Sequence, residues 1–203
     1  CTSCHPNVAD KEHVHDPVRT DACTECHDPH GGATKALLAR STTAKLCDDC
    51  HSLSKEAFAH GPVAVGECMV CHEPHHSDRP GLLKAPGSAL CAGCHSDTAE
   101  NIAGKKHPHK PAVQDCAACH APHGGDNQFL LRKPRTELCL GCHADIEKLV
   151  TEQPVVHGAV KELSRCANCH EPHAADRPFM LKAPSKNLCL ACHDKEIAAG
   201  EKT

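Results

Sequence analysis

The reading turns on Cys68-Met69-Val70-Cys71-His72, which continues into Glu73-Pro74-His75, passes Leu82-Leu83 and closes on Leu90-Cys91-Ala92-Gly93-Cys94-His95. Two C-x-x-C-H signatures therefore stand about two dozen residues apart, with an extra histidine three places after the first. Two intervening residues let both thiols reach one edge of a porphyrin, while the next histidine swings beneath its metal. This is the attachment chemistry of a c-type haem: two thioethers to the vinyl groups and a proximal imidazole.

Working outward, the signature recurs along the whole chain. Its residues are Cys1, Cys4 and His5; Cys23, Cys26 and His27; Cys47, Cys50 and His51; Cys68, Cys71 and His72; Cys91, Cys94 and His95. Then come Cys116, Cys119 and His120; Cys139, Cys142 and His143; Cys166, Cys169 and His170; and Cys189, Cys192 and His193. All 18 cysteines are used. Zinc ribbons, disulfide frameworks and thioredoxin-like centres also use cysteine pairs, but none requires histidine directly after the second cysteine. Nine covalently attached haem c groups are expected.

Composition agrees with a fold that needs such a cofactor. In 203 residues there is no Trp, no Tyr, three Phe and two Met, so the large side chains that normally dominate a core are missing. Porphyrins would supply the apolar area, and the fold would exist only with them. The formal net charge of −4 omits the cofactor. With two propionates per haem and one net positive charge per oxidised iron–porphyrin core, the holoprotein reaches about −13 if the propionates ionise. The 22 Lys and Arg are then propionate partners and solvated surface, and nucleic-acid binding is not expected. No stretch reaches the length of a membrane span. No signal-peptide pattern is read in these residues, and because Cys1 already belongs to a motif, a processed or trimmed start is expected.

A repeat organises the chain. Leading motifs at Cys23, Cys68, Cys116 and Cys166 are each followed by x-Pro-His, and trailing motifs at Cys47, Cys91, Cys139 and Cys189 are each preceded by leucine. The divisions are 1–22 (an orphan trailing half with one haem), then two-haem repeats 23–67, 68–115, 116–165 and 166–203, all in one continuous haem-packed unit. Repeats two and four share Asp-Arg-Pro and Leu-Lys-Ala-Pro, whereas one and three share Pro-His-Gly-Gly. A duplicated four-haem block explains this alternation. The expected fold is mostly irregular coil with short α-helices and negligible β-sheet. Helical turns are placed at Ser52–Ala59, Asp97–Ala103, Ala144–Val150 and Asp194–Ala199, too short to stand without tertiary support. Gly61-Pro62, Gly104, Pro108, Pro111, Pro154 and Gly158 should end such turns and open extended linkers. The pairs Leu37-Leu38, Leu82-Leu83, Leu130-Leu131 and Met180-Leu181 should pack on porphyrin faces.

Eleven of the 20 histidines lie outside the motifs, close to one for each iron, which favours bis-histidine, six-coordinate haems. His30, His75, His123 and His173 follow their proximal histidines by three residues, at most about 10 Å of chain. That is too short to pass around a macrocycle, so each must reach a neighbouring iron or none. His15, His60, His109 and His157 in the linkers form a second set. His13, His76 and His107 are spare candidates. Since no histidine follows His193, an iron near an end is expected to borrow a ligand or stay open.

The pattern C-x-x-C-H-x-Pro-His, Leu-Leu, Leu-C-x-x-C-H resembles the doubled-CXXCH multihaem c-type cytochromes, including subunits of extracellular cytochrome filaments. The resemblance implies electron transfer by a non-enzymatic conduit, at the cell surface, outside the cell or in the periplasm. Other redox proteins or copies of the chain itself would be its partners, and polymerisation into a conductive filament (nanowire) competes with a soluble periplasmic shuttle. A reductase of a small oxyanion or nitrogen compound is the alternative. It would need an open iron, and the lysine-ligated C-x-x-C-K haem or active-site tyrosine of related reductases is absent from this sequence.

Overall fold

The computed structural model describes residues 1–52, 56–161 and 165–193. Each C-x-x-C-H closes into a tight turn because the histidine N–H donates to the carbonyl of the first cysteine, at 2.8 to 3.2 Å in the motifs ending at His5, His27, His51, His72, His143, His170 and His193. The leading motifs are 3-10 turns at Cys23–Glu25, Cys68–Val70, Cys116–Ala118 and Arg165–Asn168. The trailing motifs start inside six-residue helices, Thr43–Asp48, Gly87–Ala92, Arg135–Leu140 and Ser185–Leu190. At Thr42 the side chain caps the first of these by accepting from the Lys45 N–H. The longest described helices are the nine-residue segments Ser96–Gly104 and Ala144–Glu152, which follow trailing motifs as expected.

The linkers differ from expectation. Pro62 and Pro111 open helices at Gly61–Ala64 and Lys110–Gln114 rather than extended chain, and Pro17 does the same at Asp16–Arg19. A proline in the first turn lacks only an N–H that would be unbonded there, and its fixed φ suits a helix. The residue just before each helix is a linker histidine in extended backbone: His15, His60 or His109. The helix expected over Ser52–Ala59 does not form as such. Phe58–Ala59 is a strand, and residues 53–55, like the turn expected at Asp194–Ala199, lie outside the described residues.

Six two-residue strands form three ribbons between distant parts of the sequence. They are β1 (His13–Val14), β2 (Phe58–Ala59), β3 (His76–Ser77), β4 (His107–Pro108), β5 (Gly124–Gly125) and β6 (Ala174–Ala175). β1 pairs with β3, β2 with β5 and β4 with β6, all antiparallel, with His13 opposite Ser77, Phe58 opposite Gly125 and His107 opposite Ala175. Each ribbon thus joins the residues just before a linker histidine (His15, His60 or His109) to those just after the second Pro-His that follows it (His75, His123 or His173). Small residues are needed there. Ser77, Ala174 and Ala175 are 2 %, 6 % and 5 % exposed, and a Cβ at Gly124 would come within 2.9 Å of the Phe58 carbonyl. The shared Asp-Arg-Pro ties the same linkers down, since Asp78 pairs with Lys11 at 3.3 Å and Asp176 with Lys105 at 2.8 Å.

The chain divides into two compact units, residues 1–91 with 120–130, and 92–119 with 131–203. The first contains the β1–β3 and β2–β5 ribbons, the second the β4–β6 ribbon. Among the described residues the buried side chains are small, and Val65, Val155, Phe129 and Phe179 are among the large apolar ones left exposed. The described residues do not bury a core of their own. No helix among the described residues is long and apolar enough to cross a membrane.

Replacing Gly124 by valine forces β2 and β5 apart. We expect a loss of about 1–3 kcal/mol, seen in the holoprotein as a thermal midpoint lower by about 2–4 °C for each kcal/mol. At Gly104 a Cβ meets nothing within 4 Å, so Gly104→Ala should leave the midpoint where it is.

Candidate haem centres

The motif turns and the ribbons together bring histidines from distant parts of the sequence face to face. In the first unit His15 faces His51 with ring centroids 6.0 Å apart, His27 faces His75 at 5.9 Å and His72 faces His123 at 5.9 Å. In the second, His109 faces His143 at 6.2 Å and His157 faces His193 at 6.0 Å. With metal–nitrogen bonds of about 2 Å, two imidazoles on opposite sides of one metal would put their centroids about 6 Å apart. The ring planes lie 18° to 36° from parallel. The imidazoles come in twos, as axial ligands of a porphyrin iron do, whereas a structural zinc takes four ligands. These residues fit haem.

The pairing has a fixed register. The Pro-His histidines His75 and His123 face the leading proximal histidine one repeat earlier, not the one three residues before them. Linker histidines His15, His109 and His157 face the trailing proximal histidine that comes later in sequence. The expected ligand deficit therefore does not fall at His193, which is faced by His157. Among the described residues His5 and His170 have no imidazole opposite them, nor do His13, His30, His76 and His107. His13 and His107 sit at the strand position that Phe58 fills in another repeat, so they are ribbon residues. His76 lies in β3, with its Nδ1 2.9 Å from Asp10. His60 shares its repeat position with His15, His173 with His75, His95 with His51 and His120 with His27.

Backbone carbonyls orient the rings. The Nδ1–H groups of proximal His27, His72, His120 and His170 donate to the carbonyls of Ala36, Gly81, Phe129 and Phe179 at 2.7 to 2.8 Å. The linker histidines His15, His60 and His109 donate in the same way to Pro74, Pro122 and Pro172 at 2.8 to 3.0 Å. A carbonyl can only accept, so the tautomer is fixed and Nε2 is left as the ligand atom, the usual outer-shell arrangement of a metal-bound histidine. Sequence reasoning misses these carbonyls, although a signal exists: each lies nine residues after its proximal histidine. The loop that presents them is bent through left-handed backbone at Leu37, Leu82, Leu130 and Met180 (φ 53° to 57°), joined by Phe129 and Phe179 at φ 59° and 57°. The first member of each apolar pair is thus a corner of the loop. The second bridges back to the proximal histidine at Leu38–His27, Leu83–His72 and Leu181–His170. Burial first, then the facing His27 ring, lowers the pKa of His75; burial and then His72 lowers that of His123. Both shifts favour the neutral, ligating form.

The thiols before attachment show how the motifs abut. Burial, then the Cys68 sulfur beside it, pushes Cys47 up to about 11; burial, then Cys166, does the same to Cys139. Cys26 is raised by burial and then by Cys50, and Cys119 by burial and then by Cys142. Sulfurs of these four pairs of consecutive motifs are therefore neighbours, and porphyrins attached there would meet edge to edge.

The family described as the doubled CXXCH motif matches the chain four times, at residues 15–56, 60–100, 109–148 and 157–198. Each match opens on a linker histidine and ends beyond a trailing motif. No curated protein matches the chain. With the four matches spanning about four fifths of its length, the chain belongs to the doubled-CXXCH family and is a multihaem c-type cytochrome that transfers electrons through covalently bound haem.

Proposed function

We propose that all nine C-x-x-C-H motifs carry haem c and that the chain is a non-enzymatic conduit passing single electrons from one haem to the next. The observation that carries this reading is the set of five imidazole pairs 5.9 to 6.2 Å apart, joined by sulfur neighbours from motif to motif. When bound, haem supplies one-electron chemistry at its iron, with a potential set by axial ligands, burial and hydrogen bonds. The residues do the rest. His5, His27, His51, His72, His95, His120, His143, His170 and His193 are the proximal ligands. His51 is completed by His15, His27 by His75, His72 by His123, His143 by His109 and His193 by His157; His60 and His173 are distal ligands by repeat position. Filling both axial sites keeps substrates off those irons, which favours conduction over the reductase alternative.

The conduit works outside the cytoplasmic membrane, at the cell surface or beyond it, and exchanges electrons with other redox proteins or with further copies of the chain. Resemblance to filament cytochromes supports the extracellular setting; a periplasmic shuttle is the competing one. Fractionation of cells followed by haem staining distinguishes them.

Intact mass of the matured protein should exceed the polypeptide by nine haems. Replacing His15 by alanine should convert about one ninth of the haem to high spin and raise one potential, while His13→Ala changes neither; electron paramagnetic resonance and a redox titration read both. Because the paired ring planes are 18° to 36° from parallel, the oxidised protein should show the rhombic low-spin signals of near-parallel imidazoles. A spectrum dominated by the strongly anisotropic signal of perpendicular planes would contradict the assigned pairs.

A further inference from the structure

The chain holds three phenylalanines, no tryptophan and no tyrosine, and two of the three, Phe129 and Phe179, stand at one repeat position. It is the loop corner whose carbonyl accepts from the proximal Nδ1–H, filled by Ala36 and Gly81 in repeats one and two and by Phe129 and Phe179 in repeats three and four. Gly81, Phe129 and Phe179 share a left-handed φ of 57° to 66°, which glycine adopts freely and other residues seldom do. Phe129 and Phe179 are nonetheless 67 % and 82 % exposed. They hold unfavourable backbone with little protein packing to offset it, at a place where the same chain also uses glycine.

The corner side chain begins a few bonds from an oxygen that contacts the proximal imidazole at 2.7 to 2.8 Å, so it governs how closely water and charge approach that ring. The strand before each linker histidine packs on the same corner: His13–Val14 on Pro80–Leu82, Phe58–Ala59 on Gln128–Leu130, and His107–Pro108 on Pro178–Met180. At the glycine corner an open pocket of about 270 Å³ lies between Glu12, His13, Asp16, Arg19, Gly81 and Leu82. That is room for several waters at about 30 Å³ each. A Cβ at Gly81 would meet nothing within 4 Å. At the corner of repeat three, the two segments that meet carry Phe58 and Phe129 instead.

We propose that the corner residue sets the reduction potential of the leading haem in its repeat, with Phe129 and Phe179 holding the haems at His120 and His170 above those at His27 and His72, where Ala36 and Gly81 cannot exclude water. The oxidised iron–porphyrin core carries one net positive charge, which is lost when it accepts a single electron from a neighbouring haem. Water and carboxylates such as Glu12 and Asp16 stabilise the charged form and lower the potential, whereas an apolar ring that keeps them away raises it. Electrons on the leading haems of repeats one and two therefore run downhill to those of repeats three and four. The proposal rests on the ligand assignment above and adds the residues that give the conduit a direction.

The test is a reciprocal swap in the holoprotein, Gly81→Phe and Phe129→Gly, read by a redox titration followed in the visible spectrum. The φ at Gly81 is one that phenylalanine already takes at 129, and glycine at 129 relaxes the backbone, so both variants should fold. Intact mass and electron paramagnetic resonance check that the haem content and the low-spin signals are those of the parent protein. We expect Gly81→Phe to move one component of the titration to higher potential, Phe129→Gly to move one to lower potential, and the double variant to show both shifts. Unmoved potentials, or two shifts of the same sign, overturn the proposal. His123→Ala is measured beside them: one haem turned high spin there, with an unmoved titration in the swaps, sinks the corner alone, whereas no spin change there sinks the ligand assignment on which it rests.

Discussion

The constraint from which the rest of the structure follows is a gap about 6 Å wide between two imidazole rings that no single motif can close. A proximal histidine is fixed to its cysteines by a five-residue turn, so its opposite number must come from elsewhere. For trailing motifs it comes from the same family repeat: His15 and His51 both lie within 15–56, and His157 and His193 within 157–198. For leading motifs it comes from the next one, as with His27 and His75 or His72 and His123. Self-contained and shared centres therefore alternate. The shared ones couple each repeat to its neighbour, and stability should follow the nearest-neighbour logic of repeat proteins.

Holding those rings requires unfavourable backbone. Leu82, Phe129 and Phe179 adopt a left-handed φ that side chains other than glycine seldom take, and such residues each cost of order 1–3 kcal/mol. What is gained is direction: the carbonyl at the same corner points at Nδ1. Gly81 shows the connection, since it takes φ 66° without a Cβ and supplies the carbonyl to His72, the role that Phe129 plays for His120 and Phe179 for His170. The chain uses its irregular loops as an outer ligand shell, and the short strands as spacers that set where the next histidine arrives.

Legibility divides along covalent lines. The attachment motifs can be read directly because bond geometry dictates their spacing, and the repeat because each copy carries the same chemistry. That a Pro-His histidine does not serve the iron of its own motif follows from chain reach alone. Which iron it serves depends on strand pairings only two residues long, too short to leave an alternating pattern. Hence sequence reasoning keeps His13 and His107 as spare ligand candidates beside His15 and His109, although one pair lies in strands and the other at helix entries. Phe58–Ala59 reads as helix for the same reason: helix-forming neighbours outweigh pairing partners 65 and 67 residues away. The small residues after each Pro-His (Ser77, Gly124 and Ala174) mark the ribbons only once the partner strand is known.

A chain with almost no core of its own cannot separate scaffold from conductor. In the first unit Cys26 lies beside Cys50 and Cys47 beside Cys68, and in the second Cys119 lies beside Cys142 and Cys139 beside Cys166. Haem edges joined to those cysteines would be neighbours as well. Packing those edges together supplies the apolar contact that Trp, Tyr and most Phe would supply elsewhere, and the same contact shortens the distance an electron must cross. Adding a repeat therefore lengthens the conductor and the fold in one step, without a new core to design. This gives a physical reason for a sequence that varies its linkers freely while keeping two cysteines, a histidine and a Pro-His at a nearly constant interval.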